Sequence, residues 1–439
     1  MKKKIISLII CVCIFSLPIQ AQEEWTLRQC IEYAVENNLS VQRIELSVEQ
    51  SEIEANTSKW TRLPNFNASS SQNFSWGRAA SPIDNTYTNT NSANTGFNLS
   101  TNVPLFSGMQ LVNQYELAKL NLKAAVEDLN KAKEDISINV ASLYIQVLYN
   151  FELNNIAKEQ LKLSIEQLES ISKFSELGRV APSKVAEAKA RVAQDEVSVV
   201  QTENNYKLAL LDLSQLLELK TPENFSIAKP NQEPNFAAIT PPDEIYDYAA
   251  STRSGIIAAQ YRLEGSEKSI KIAQGSYYPQ VSLGAGMGTS YYTSSGRTTD
   301  PFFTQLDHNL GRSLGFNFSI PIFNRFSTRN RIQSAKLQQT NLSIQLEEIK
   351  KNLYKEIQQA WYSALAAEAK YNASVVAVST NEEVFRFVNA KFNEDRATAI
   401  EFNEAKLNLT KSLSDKIQAK YDYIFRTKVL DFYKGIPIE

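Results

Sequence analysis

Residues 96–136, GFNLSTNVPLFSGMQLVNQYELAKLNLKAAVEDLNKAKEDI, carry two periodicities back to back. Over 96–106, Phe97, Leu99, Thr101, Val103 and Leu105 alternate with Asn98, Ser100 and Asn102, the period of a strand with one apolar and one polar face. From Leu111 the period lengthens. Leu111, Tyr115, Ala118, Leu122, Ala125, Leu129, Ala132 and Ile136 alternate steps of four and three, a coiled-coil seam in which Ala permits close helix packing. Val140, Leu143, Val147 and Phe151 continue it more loosely. No Gly or Pro interrupts 109–177, and a helix of roughly 70 residues reaches about 105 Å. A single globular core needs no element that long.

Further breaker-free runs cover 183–221 and 322–434, although the 439 residues include 14 Gly and 14 Pro. The last run holds a similar seam: Leu342, Leu346, Ile349, Leu353, Ile357, Ala360, Ala364, Ala367 and Tyr371. With 43% hydrophobic and 21% charged residues, the chain is neither disordered nor collagen-like. A single histidine removes His-based triads and multi-His metal centres, and no nucleophile–base pair or ligand cluster stands out. Neither a catalytic site, a cofactor nor a metal is expected.

Residues 1–21 read as a secretory signal peptide: Lys2, Lys3 and Lys4, an apolar stretch over 5–17, and a small residue, Ala21, before the expected cleavage. Lipidation at Cys11 or Cys13 is disfavoured by Ile10 and Val12 just before them. Removal of the three lysines leaves 43 basic against 48 acidic residues, a balance that does not suggest nucleic acid as a partner. Cys30 would remain alone among Leu27, Ile31 and Ala34, so it is expected to be a buried thiol without a disulfide.

Three more segments alternate as 96–106 does: 65–76, 280–291 and 314–323. None of the four contains a charged residue, whereas the wet face of a soluble sheet usually carries Lys or Glu. Uncharged strands of this length with aromatics near their ends fit an outer-membrane barrel better than an ordinary sandwich. Residues 78–95 and 289–299, rich in Ser, Thr and Asn, read as long solvated loops.

The four strands come as two copies of one unit. Leu63-Pro64-Asn65-Phe66 parallels Tyr278-Pro279-Gln280-Val281, and Asn102-Val103-Pro104-Leu105-Phe106 parallels Ser319-Ile320-Pro321-Ile322-Phe323. Lys173-Phe174 matches Lys391-Phe392 at an offset of 218, and Glu187-Ala188-Lys189 matches Glu404-Ala405-Lys406 at 217. The expected organisation is a first repeat over 22–220, a Pro-rich linker over 221–243 and a second repeat over 244–439. Each repeat reads helix, two strands, long helix pair. A membrane sheet has to close on itself, and four strands are too few. Copies of the chain must share one barrel. Two copies give eight strands, filled by their own side chains, and three give twelve; the polar inner face with Gly284, Gly286 and Gly288 favours three and an open lumen.

The doubled unit, the proline-ended strands NVPLFSG (102–108) and SIPIFNR (319–325), and the turn FSELGRVAPSKVAEAKARV (174–192) resemble the TolC family of outer-membrane channels over essentially the whole mature chain. The resemblance implies an α+β membrane protein: a trimeric 12-stranded β-barrel continued by a long periplasmic α-helical coiled-coil barrel. It implies an exit duct that does no chemistry, is located in the outer membrane and contacts its lipid. Such a duct serves a tripartite efflux pump or type I protein secretion. The implied partners are a periplasmic adaptor and an inner-membrane transporter of the RND or ABC type. A periplasmic or surface coiled-coil scaffold would explain the heptads, but not the four uncharged strands.

The resemblance also marks residues. The adaptor-docking tip maps onto Leu177, Gly178, Arg179, Val180, Ala181, Pro182 and Ser183 in the first repeat, and onto Asp395, Arg396, Ala397, Thr398 and Ala399 in the second. Gly178 suits a helix stop and Pro182 a helix start. The second turn departs from the family in carrying Asp395 where a Gly is usual. Glu401 and Glu404, three apart on one helix face, match the acidic positions of the closed aperture, where three copies would make rings that favour cations. Replacing both with Ala is expected to change cation selectivity or block by multivalent cations. An Arg and a Tyr that tether the closed state in the family are replaced by Ala397 and Phe392. His308, beside Asp307, is expected at the surface. Trp60, Tyr277 and Tyr278 border the strands and suit either an interfacial belt or turn packing.

Overall fold

The computed structural model describes residues 24–80, 86–220, 225–229, 238–295, 298–394 and 396–438. The expected signal peptide, part of the linker (221–224 and 230–237) and Asp395 lie outside them. The elements are α1 (Leu27–Asn37), α2 (Leu39–Trp60), β1 (Asn65–Ala80), β2 (Tyr87–Ser107), α3 (Gln110–Glu176) and α4 (Pro182–Leu216). They continue with α5 (Pro242–Thr252), α6 (Ser254–Gly275), β3 (Gln280–Ser294), α7 (Phe302–His308), β4 (Gly311–Ser319), α8 (Ser327–Asn393) and α9 (Ala399–Tyr433).

Helix lengths repeat residue for residue. Helices α1 and α5 have 11 residues each, α2 and α6 have 22, α3 and α8 have 67, and α4 and α9 have 35. The starts of α1, α2 and β1 recur 215 residues later, and those of α3 and α4 recur 217 later. Both ends of the paired long helices keep that 217, so the slip to 218 expected at the second turn is absent. Two residues with positive φ precede each 67-residue helix: Gly108 and Met109 in the first repeat, Arg325 and Phe326 in the second. Glycine is required only at the first, where a Cβ on Gly108 would lie 2.3 Å from the Gly275 carbonyl oxygen.

The chain divides into two compact units, each drawing on both repeats. One runs to Glu45 and resumes over Leu129–Ser254 and from Ile349; the other holds Leu46–Asp128 and Gly255–Glu348. The core of the first is built from Cys30, Ala34 and Val41, from Ile136, Val140, Tyr144, Val147 and Leu148 of α3, and from Ala209, Leu213 and Leu217. Cys30 is a fully buried free thiol, as expected, and burial pushes it up to about 12. From the linker, Ile227 forms a parallel bridge with Trp25, and the Tyr144 hydroxyl donates to the Ala228 carbonyl at 2.5 Å. Along α8, Leu346, Leu353, Ile357, Ala360, Ala364, Ala367 and Tyr371 of the expected seam are buried. Near the start of α3 the buried residues are instead Leu120 and Ala124. Gly265 of α6 faces Leu117 and Leu120 there.

In the second unit β1, β2, β3 and β4 form one antiparallel sheet in chain order. Directly paired residues share a face. The rows Phe66–Thr101–Ala285–Leu314 and Ala68–Leu99–Met287–Arg312 belong to the apolar face, which also holds Phe74, Trp76, Phe97, Phe316 and Phe318. The rows Asn67–Ser100–Gly286–Ser313 and Asn65–Asn102–Gly284–Gly315 belong to the other. Strands β1 and β4 are the two edges.

Three sequence expectations are corrected here. Residues 78–95 are not a long loop, because β1 runs to Ala80 and β2 starts at Tyr87. Residues 289–299 likewise begin as strand, to Ser294. Ser, Thr and Asn are what a wet, uncharged sheet face requires, so their abundance does not separate strand from loop there. The fourth strand covers Gly311–Ser319 rather than 314–323. Proline supplies no ladder donor: β2 passes Pro104 through a register shift before Phe106, while edge strand β4 stops short of Pro321. The longer β1 and the earlier start of β4 bring in two charges, Arg78 and Arg312, both on the apolar face.

Because β4 is short, β3 has a bare edge beyond Gly288. Helix α7 covers it with side-chain amides. Gln305, buried, accepts from the Tyr292 backbone N–H at 2.9 Å and donates to the Tyr292 carbonyl at 3.0 Å; Asn309 donates to the Ser290 carbonyl at 2.7 Å. His308 ends α7 and is exposed, as expected. Trp60, Tyr277 and Tyr278 are all more than half exposed. No helix among the described residues is long and apolar enough to cross a membrane.

Candidate functional site

The two five-residue turns, 177–181 and 394–398, end the 67-residue helices in similar ways. In the first, the Gly178 N–H donates to Ser175 at 3.0 Å and the Arg179 N–H to Phe174 at 2.9 Å, with Gly178 at φ +70°. That bonding pattern needs a residue with free access to positive φ, which glycine provides. Pro182 then opens α4 from Ala181, which offers no side-chain cap. In the second turn the Arg396 N–H donates to Lys391 at 2.8 Å, the same i to i−5 span.

Helix α9 starts differently. The Thr398 hydroxyl accepts from the Glu401 N–H at 3.2 Å, and the Glu401 carboxylate accepts from the Thr398 N–H at 2.7 Å and from its hydroxyl at 2.9 Å. This capping box holds the Glu401 carboxyl below the usual carboxylate range, chiefly through the Thr398 backbone N–H. The signal, Thr398-Ala399-Ile400-Glu401, is plain in the sequence. Glu404 lies three residues on, on the same helix face, and both acids are exposed. Alanine at Glu401 would therefore remove a cap as well as a charge.

Between the two turns lies a hollow of about 290 Å³. Ile171, Phe174, Val180, Phe392 and Ala397 form its apolar wall, and Lys184, which pairs with Glu187 at 2.9 Å, stands on its charged side. Of the marked residues the hollow gathers Val180, Ala397, Thr398 and Ala399; Leu177 is 68% exposed, and Arg396 pairs with Glu394 at 3.2 Å. The Phe392 ring packs at a tilt against buried Phe402, centroids 4.9 Å apart, so an apolar contact stands where a polar tether was in question.

Deeper along the same helices is a cluster that sequence reasoning missed. Lys406 of α9 is 1% exposed and donates to Asp195 of α4 at 2.9 Å, to the Gln160 carbonyl of α3 at 3.0 Å, and to the Ser164 hydroxyl. Ser164 in turn donates to Asp195, and Arg191 approaches Asp195 at 3.6 Å. Burial pulls the Lys406 ammonium below its ordinary range, and Asp195 opposes that pull. The second repeat supplies the lysine and the first the acid. At the 217 offset the counterparts are the exposed Lys189 and the buried Ser412, so the pair has no repeat mate. A lysine on the apolar stripe between Phe402 and Leu409 was the available clue.

The sequence profile of the outer membrane efflux protein family matches residues 30–218 and 245–431. The outer membrane protein TolC of Escherichia coli K12 is 22% identical over 302 residues, which cover 66% of this chain and 59% of that protein. The chain thus spans about three fifths of that curated relative's length. Among solved structures, the CmeC outer membrane channel of Campylobacter jejuni superposes with a TM-score of 0.79 at 18% identity, covering 94% of this chain and 86% of that one. The outer membrane protein VceC of Vibrio cholerae gives 0.78 at 18% identity, with 94% and 97% covered.

Proposed function

The chain belongs to the outer membrane efflux protein family, and on that premise we propose that three copies form the exit duct of a tripartite efflux pump. The observation that carries this is the sheet: four strands, one uncharged polar face, one apolar face and two unpaired edges. Hydrocarbon offers no partners for edge N–H and C=O groups, so β4 of one copy pairs with β1 of the next until the ring closes. Three copies give a barrel wide enough for a water-filled lumen, lined by the Asn, Ser and Gly rows. The chain is located in the outer membrane, with its long helices in the periplasm. The duct supplies a path and not a reaction.

The hollow between the two turns receives the adaptor. Its apolar wall, Ile171, Phe174, Val180, Phe392 and Ala397, and the exposed Leu177 and Ile400 suit the tip of a helical hairpin. An inner-membrane transporter of the RND or ABC type drives cargo through the joined assembly. Glu401 and Glu404, repeated three times, give the narrow end its cation preference.

The charge-neutral exchange that keeps the α9 cap is Glu401→Gln with Glu404→Gln, because glutamine also serves at this position of a capping box. In planar bilayers the double variant should lose most of its preference for potassium over chloride while still forming channels. An unchanged reversal potential would remove the acidic ring from the account.

A further inference from the structure

Strands of unequal length cannot close a ring by pairing alone. Strand β1 has 16 residues and β4 has 9, so where β4 of one copy meets β1 of the next, at least seven residues of β1 have no strand beside them. Their position follows from the register. Gly315 stands in one row with Asn65, the first residue of β1, so Ser319 stands four rows short of that strand. For all of β4 to pair, β1 of the next copy has to be displaced along its axis by at least four residues. Strands tilted by about 35–45° and spaced about 4.8 Å apart are displaced by about four to six residues over every four strands. An even number keeps like faces together. Beyond the end of β4, a displacement of four leaves 74–80 bare, and one of six leaves 76–80 bare.

Helix α7 stands at that level. It bonds Ser290 and Tyr292, which share rows with Ser71 and Asn73 of β1. The displaced β1 of the next copy therefore presents residues 75–79 opposite the helix. The gap fits. With β4 missing there, β3 and that strand are two spacings apart, about 10 Å, and a helix is about 10–12 Å across. Gln305 faces β3. Phe303 and Asp307, two residues to either side of it, share the opposite side of the helix, and both are exposed, Phe303 by 82%. The Thr289 hydroxyl donates to the Leu306 carbonyl at 2.7 Å and the Phe302 ring meets Tyr291 at 5.0 Å, so α7 leans on the apolar face, the face of Trp76 and Arg78. Arg78 is the only charge in β1, and among the described residues no carboxylate pairs with it and no cation with Asp307.

We propose that α7 seals the seam between copies: it takes the place of the missing end of β4 and docks on β1 of the next copy, with Asp307 pairing with Arg78 and Phe303 packing on Trp76. The charges are complementary, and the contact continues the β4–β1 pairing along the same strand. It explains an arginine on an otherwise uncharged strand and an exposed phenylalanine on a seven-residue helix. The seal rests on the closed ring of copies proposed above.

The test uses the full chain in isolated outer membranes. With Arg78→Cys and Asp307→Cys in one chain, a short bismaleimide should join most copies into covalent dimers and trimers on denaturing gels, and either cysteine alone should leave protomers. Arg78→Asp and Asp307→Arg should each lower the temperature at which the assembly dissociates in dodecyl sulfate, and the two together should recover most of that loss. Absence of cross-links between copies, or a double reversal no better than the worse single one, would overturn the proposal. Should a reversed-charge variant fail to fold, the cysteine pair decides. Native mass spectrometry of the same preparations separates the seal from the reading beneath it. Three copies without cross-links would remove the seal alone, whereas a mass other than three copies would remove the ring as well.

Discussion

Replacing Lys406 with alanine is expected to destabilise the helical unit by about 3–5 kcal/mol, the range found when one member of a buried ion pair is removed. The reason is what remains. Asp195 is 8% exposed and Ser164 is 2% exposed, and in the variant both face an empty site without the ammonium. A carboxylate stranded in that position costs more than the pair ever contributed. The companion variant makes the argument specific. Lys406→Met with Asp195→Leu replaces the charges by apolar volume and should recover most of the lost stability. Thermal unfolding of the full chain in detergent, followed by helical circular dichroism, measures both. A loss below about 1 kcal/mol for Lys406→Ala, the size of an exposed pair, would show that the cluster holds nothing together.

The second large effect concerns the two faces of the sheet. Leu314 and Asn317 lie three residues apart on β4, Leu314 on the apolar face and Asn317 on the polar one. Leu314→Arg puts a guanidinium into hydrocarbon and should cost about 2–4 kcal/mol in every copy. Asn317→Arg puts the same group into the water-filled lumen and should cost little. The yield of folded, heat-modifiable protein in outer membranes reports the difference. Equal yields from the two variants would mean that the faces were assigned wrongly.

Much of this architecture was legible in the chain, for identifiable reasons. Absence of Gly and Pro over 109–177 and 322–434 leaves a helix few places to stop; α3 fills the first run almost completely, and α8 and α9 share the second. The breakers that do occur mark ends: Gly178 the stop of α3, Pro182 the start of α4. Strand limits were less legible. A wet face made of Asn, Ser and Thr has the composition of a loop, so β1 and β2 extend farther than alternation alone suggests. Pro104 and Pro321 occupy matching places, yet only a strand paired on both sides continues past its proline.

The site divides in the same way. The turns were found through the repeat, and Thr398 with Glu401 forms a local signal that four consecutive residues contain. Lys406, Asp195 and Ser164 could not be joined from the sequence, since 242 residues separate the first from the last and the pair breaks the internal symmetry. Arg312 lies outside the expected fourth strand, which starts at Leu314, whereas β4 starts at Gly311.

The central claim is that three copies close one barrel of twelve strands. Native mass spectrometry of the detergent-extracted outer-membrane protein tests it most directly. The account predicts an assembly of three times the protomer mass. A species of one, two or four copies as the membrane-extracted form would contradict it.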